Sequence, residues 1–266
     1  MLMLTHSWLL AHYLGKEKFN RKLQDLYVYN ICPDFLPAGP VFSPRLTHGA
    51  PRFRPIPPEF QGANFIVFHL MVDDISHYGL IKARPDEEFN PDAEGYSYLK
   101  GIPLRGPLMD FHQTYGNPID LAQAAYQSHM VIEMTFDLAL YWGAPEESRA
   151  ILEYMCEAFR YVWEEKRDEF AQTVGWFYDV APNAVIEALV RCHSFYDHVN
   201  MAKFMTLEGR VNTFFSKFAP LMNSTGSRER LTSIMEEGIT LVRNFPEFLA
   251  PTLGAIRRTG FSPFAG

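Results

Sequence analysis

The chain has 266 residues, of which 47% are hydrophobic and 21% charged, with a formal net charge of −7. That composition is sufficient for a substantial core and excludes a wholly disordered chain. Lys and Arg cluster no further than pairs such as Arg21-Lys22, which excludes a dedicated nucleic-acid-binding surface held by phosphate contacts while leaving a nucleotide open as a substrate.

The opening stretch, MLMLTHSWLLAHYLG, has no basic leader, no small-residue cleavage site, and His6 and His12 inside its apolar run. It is a poor signal peptide. No apolar run reaches the ~18 residues that a bilayer-spanning helix needs. Cys32, Cys156 and Cys192 are too few and too scattered for a disulfide framework or a paired-cysteine zinc site. A cytoplasmic location is therefore expected, and nothing in the sequence indicates an oligomeric state.

Residues 5–31 read as helical pieces interrupted near Gly15, because Leu9, Leu10, Tyr13, then Leu23, Leu26 and Tyr27 recur at helical spacing. Residues 33–58 carry eight prolines and are expected to be irregular. Their Phe35, Leu36, Val41, Phe42, Leu46 and Phe53 favour an ordered loop over a core. The run NFIVFHLMVDDISHYGLI, 64–81, is apolar almost all round, as a central buried helix is. Residues 85–118 form a second segment expected to be irregular, and the place where substrate selectivity would lie. Asn117-Pro118 then opens a helix that runs to Trp142 before Gly143 stops it. Helices are predicted over 146–166, 168–179, 182–206, 208–220 and 227–243, punctuated by Pro182, Pro220 and Pro246. Strand-like alternation is nowhere convincing. The expected fold is all-α, a compact multi-helix bundle in one domain over 1–266, with a metal-binding half, 1–142, and a helical packing half, 143–266.

Seven of the nine histidines precede residue 130. His69, Asp73 and His77 follow a four-residue step twice, so at 100° per residue their directions span only about 80° and all three leave one helix face. His129, Glu133 and Asp137 repeat that step. A carboxylate buried unpaired is costly, and two buried helices each carrying such a stripe are how a bundle builds a metal centre. His6, His12, Asp34 and His48 are further ligand-type residues, the last two on the proline-rich segment, where rigidity favours a metal site. His193, Asp197 and His198 read as a satisfied polar patch, and His112 as a structural or substrate-contacting residue.

The order THSWLLAH, CPDFLP, THGAP, HLMVDDISH and HMVIEMTFD resembles the zinc-dependent phospholipase C / S1-P1 nuclease family over roughly residues 1–142. The resemblance implies an all-helical fold with up to three zinc ions. One would be held by Asp34, His48, His69 and Asp73, with Asp73 bridging to a second that takes His12 and the element around His6. A third would be held by His77, His129 and Glu133, and Asp74 and Asp137 would orient imidazole N–H groups from behind. In secreted members the freed N-terminal residue ligates zinc through its amino group. Here Met1 to Thr5 precede His6, so either the His6 side chain takes that place or the second site is the weaker one.

Charge counting points the same way. Three divalent cations against the negative charges of Asp34, Asp73 and Glu133 leave a strongly electropositive site in an acidic protein, suited to a small phosphoester or a phospholipid. A metal-bridging hydroxide would attack phosphorus, with Asp34 the candidate for orienting or deprotonating that water. Imidazole and carboxylate ligands suit Fe, Mn or Ni nearly as well as Zn. A di-iron carboxylate bundle is disfavoured, because neither ligand helix carries Glu-x-x-His; no His-Asp dipeptide is present for an HD-type phosphohydrolase. A metalloprotein with other chemistry, and a non-catalytic metal-binding protein of the same fold, remain the alternatives.

Overall fold

The computed structural model describes residues 2–50, 52, 54–81 and 94–262. Among them are fourteen α-helices and no strand. Two helices with apolar residues on every side form the centre. Helix α4, Ala63–Tyr78, buries Phe65, Ile66, Val67, Phe68, Leu70, Met71 and Val72. Helix α7, Leu121–Gly143, is buried continuously from Gln127 to Leu140. A helix that leaves no face to water must be wrapped by others, and these are.

Helix α1, Met3–Leu14, packs against both α4 and α7 as well as α2, Asp25–Phe35, and α8, Pro145–Tyr161. Helix α2 lies along α4, and α5, Tyr96–Gly101, lies along α7. The second half of the chain closes the bundle. Helices α12, Leu207–Phe218, and α13, Thr225–Leu241, both pack on α7, while α14, Pro246–Arg258, packs on α4 and α1. Helix α9, Arg167–Tyr178, joins α8 through a π-helical turn, Val162–Lys166, and packs on α10, Pro182–Cys192. One apolar core draws on both halves, from Leu4 and Leu9 to Leu253 and Ile256.

Local signals set the main boundaries. Asp120 caps α7 by accepting the Gln123 N–H at 2.7 Å, and the Gln123 side chain accepts the Asp120 N–H at 3.1 Å. Gly79 ends α4 in the left-handed region, φ +78°. Gly95 then rests on that helix end: its N–H donates to the His77 carbonyl at 2.7 Å, and a Cβ there would stand 2.6 Å from the Gly79 nitrogen. Only glycine permits this approach, which places α5 beside the end of α4.

The two segments expected to be irregular are more regular than that. Proline-rich 33–58 begins inside α2, which runs through Pro33 to Phe35, and includes a short helix α3, Pro44–His48. Proline costs one backbone bond in a helix, but Pro33 falls in the last turn and is buried with Phe35. Of 85–118, residues 85–93 lie outside those described, and most of the remainder is helical, in α5, the 3-10 turn Ile102–Leu104 and α6, Arg105–Tyr115. The predicted helix 182–206 divides into α10 and α11, His198–Phe204, because Asp197 accepts the N–H groups of Val199 and Asn200, both at 2.8 Å, and starts a new helix. Pro246 opens a further helix, α14, beyond the predicted ones.

Candidate metal centre

Asp73 is the hinge of the site. The carboxylate lies on the buried stripe of α4, with its side chain only 4% exposed. Its Oδ1 is 3.2 Å from His6 Nε2, and its Oδ2 is 3.2 Å from His69 Nε2 and 3.4 Å from His48 Nε2. The His6 ring stacks on His69, centroids 3.6 Å apart. Asp34, from the last turn of α2, stands 3.5 Å from His48 Nε2 and 3.8 Å from His69 Nε2. Two sets of potential ligands, His6, His69, Asp73 and Asp34, His48, His69, therefore meet at one place.

The second place is formed by α4 and α7 together. His77, one turn after Asp73, has its Nε2 2.8 Å from Glu133 Oε1, and His129 completes a set of three. The stripes of α4 and α7 thus converge. Tyr98 of α5 stacks on the His129 ring at 4.3 Å, and Tyr126 meets it edge-on at 4.9 Å.

These atoms face one another in a way that could hold a cation. His48 Nδ1 lies 2.9 Å from the Thr47 hydroxyl and 3.1 Å from the Pro44 carbonyl, and its Nε2 faces Asp34 and Asp73 at 3.5 and 3.4 Å. Both ring nitrogens of His69, His129 Nδ1 and Asp34 Oδ2 are buried without a hydrogen-bond partner among the described residues. Buried polar atoms seldom remain so. The donor set of imidazole and carboxylate fits Zn, Fe, Mn or Ni.

The electrostatics prepare the ligands. Burial, with the neighbouring His69, lowers His6 to about 4, and burial lowers His129 to about 4, so both rings are neutral near pH 7. Burial alone would raise the carboxyls, but positive charge and hydrogen bonds around them, the amino-terminal charge first and then the neighbouring histidines, hold Asp73 and Glu133 well below the usual range. Asp34 is likewise lowered against the effect of burial, by His69 and His48. Neutral His6 and His129 beside ionised carboxylates are in the protonation state that metal binding requires, whereas His48 is raised, because Asp34 and Asp73 outweigh its burial.

Of the residues singled out from sequence, Asp34, His48, His69 and Asp73 meet at one place together with His6, and His77, His129 and Glu133 at the other. His12 belongs to neither. Six residues after His6 it is turned by about 240° around the helix, where its ring stacks on Trp8 and its Nε2 lies 3.1 Å from Glu147.

Asp74 and Asp137 each bind an element that carries a histidine. Asp74 takes a two-pronged interaction from Arg52, Nε at 2.8 Å and one terminal nitrogen at 2.7 Å, and the same guanidinium donates to the carbonyls of His48 and Ala50. This ties the His48 turn to α4. Asp137 accepts the backbone N–H groups of Leu4 and Thr5 at 3.2 and 3.0 Å and the Thr5 hydroxyl at 2.6 Å, and pairs with buried Arg210 at 3.2 Å. It caps α1 from another helix, one residue before His6. His112 Nε2 donates to Gln127 Oε1, 2.8 Å away; His193 stacks on Trp163, and Asp197 caps α11.

Arg52, Tyr98 and Lys217 carried no sequence signal. Arg210 did: it falls on the same buried face as Val211, Phe214 and Phe215, and an arginine on an apolar stripe implies a buried acidic partner.

Both places open on one cleft of about 580 Å³, lined by Asp34, His48, Asp73, His77, His129 and Glu133. Its remaining wall is largely apolar, including Phe35, Met130, Phe195 and Phe204. Comparison of the chain with family profiles, with curated proteins and with solved structures finds no match in any of the three. No helix among the described residues is long and apolar enough to cross a membrane.

Proposed function

We propose that this protein is a metal-dependent phosphoester hydrolase with a multinuclear centre and a bundle of the phospholipase C / P1 nuclease type, acting on a small phosphoester or a phospholipid. The observation that carries the proposal is Asp73, a buried carboxylate whose two oxygens face different imidazoles, Oδ1 toward His6 and Oδ2 toward His48 and His69. One carboxylate joining two ligand sets, with His77, His129 and Glu133 in the same cleft, suits neighbouring cations acting on one substrate. Zinc or a similar divalent ion held there would supply Lewis acidity and a water whose pKa is brought toward neutrality.

The chain's own groups do the rest. Asp73 and Glu133 hold negative charge at the cleft floor without taking up protons, because the positive charge and hydrogen bonds around them favour the ionised form over the effect of burial. Asp34 is ionised, reaches the cleft and has an oxygen without a hydrogen-bond partner among the described residues. It is the group placed to accept a proton from an attacking water. Phe35 and Met130 limit water on the apolar side and seat the organic part of the ester.

The test is elemental mass spectrometry on protein purified without added metal or affinity tag, together with hydrolysis of bis(para-nitrophenyl) phosphate. Up to three divalent ions per chain are expected, two of the three candidate ligand groups sharing His69. Asp73→Asn should lower the metal content and cut turnover by at least about a hundredfold, as loss of a ligand or of its orienting partners does. Metal without turnover of any phosphoester would overturn hydrolysis and leave a metal-binding protein. No uptake of added zinc would overturn the centre itself.

A further inference from the structure

We infer that Lys217 is a specificity-determining residue, and that the preferred substrate carries a second anionic group apart from the phosphorus under attack; the inference rests on the phosphoester reading above. The carboxylates and imidazoles that line the cleft, Asp34, His48, Asp73, His77, His129 and Glu133, are already in a ligand set. Lys217 is the lysine or arginine that lines it. The residue belongs to α12 and reaches over Met130, its Nζ 3.9 Å from the Met130 sulfur. Because Met130 follows His129, this sets the ammonium at the end of the cleft formed by His77, His129 and Glu133.

No carboxylate among the described residues stands within ion-pair distance of Lys217; its neighbours are the Met130 sulfur and the Phe218 ring. Arg210, on the same helix, is matched by Asp137, and Arg228 of α13 pairs with Glu208. Lys217 is exposed, so it keeps its hydration at modest cost until a ligand brings the counter-charge. A quaternary ammonium would suit the rings of Tyr98 and Tyr126 in isolation, but Lys217 repels it. A carboxylate or phosphomonoester set a few bonds from the scissile ester matches both the cation and the ligand sets.

The experiment uses the protein with its metal and three para-nitrophenyl phosphodiesters that differ in the other ester group: carboxyethyl, ethyl and cholinyl. The unaltered protein should show its lowest KM with the carboxyethyl ester. Lys217→Gln should raise that KM about threefold to fivefold relative to the ethyl ester, the size of one partly exposed ion pair. Lys217→Glu should move the preference toward the cholinyl ester, with metal content unchanged in both variants. A Lys217→Gln change that falls equally on all three esters, or on none, would overturn the assignment. Calorimetric binding of the matching non-hydrolysable phosphonates keeps the two readings apart. Binding ordered by ligand charge and lost in Lys217→Gln, without turnover, sinks hydrolysis and leaves Lys217 standing; equal affinity for the three in both proteins sinks Lys217 alone; no binding of any sinks both.

Discussion

At the scale of single residues, neighbouring histidines of the same helix have different fates. His6 is fully buried against Asp73 and His69, whereas His12 is a third exposed and pairs with Glu147. Six residues of helix separate them, and no α-helix can point both at one site. His12→Ala should therefore leave the metal content unchanged and shift stability by no more than about 1 kcal/mol, the range of a partly exposed ion pair. His6→Ala should lose metal. Equal loss in both variants, read by elemental mass spectrometry, would contradict the assignment of His12 to the Glu147 contact.

The ligand helices α1, α2, α4 and α7 must also be held in register, and two acidic residues next to the ligands do this. Asp74 holds the turn that carries His48 through Arg52; Asp137 holds the start of α1 through Leu4 and Thr5. The second clamp is fully dry, with Asp137 and Arg210 both at 0% exposure. Removing one partner of such a pair leaves the other charge buried, at a cost of about 3 kcal/mol or more. Asp137→Ala should destabilise by that order and lose the metal bound through His6, while the set of His77, His129 and Glu133 keeps its own. Should the alanine variant fail to fold, Asp137→Asn, which preserves the shape, should show the same selective loss of metal with a smaller fall in melting temperature. Uniform loss of metal would instead mean that Asp137 supports the bundle and not α1 in particular.

Over the whole molecule, the site makes stability depend on pH. His6 and His129 have their folded values lowered from 6.5 to about 4, so between those limits the unfolded chain binds protons that the folded chain does not. Their contribution to stability is fully present above pH 6.5 and is lost as the pH falls toward 4; His48, whose value is raised by Asp34 and Asp73, contributes with the opposite sign. Asp73 and Glu133, whose folded values are also depressed, add to the loss at lower pH still. In metal-free protein the melting temperature followed by circular dichroism should drop most steeply between pH 6.5 and 4, and bound metal should move that drop to lower pH, because metal and protons compete for the same ligands. A flat profile over this window would show that the two imidazoles are not buried neutral.

What could be read from sequence was local. The all-helical character follows from apolar periodicity, and the stripes of α4 and α7 follow from a four-residue step, which α-helical geometry converts into a shared face without reference to the rest of the chain. The proline-rich segment misled, because proline density reports lost backbone bonds and not whether burial of Pro33 and Phe35 compensates for them. What only the tertiary structure decided lies between segments. No period links Arg52 to Asp74, Arg210 to Asp137, Tyr98 to His129, or Lys217 to the cleft; these contacts exist because separate helices pack on α4 and α7, and packing is set by the shape of the whole core. The same holds for residues 143–266, which contribute Phe195, Phe204 and Lys217 to the cleft wall. Sequence determined which side chains could bind a metal, since that is a property of one helix at a time, and the fold decided which of them meet.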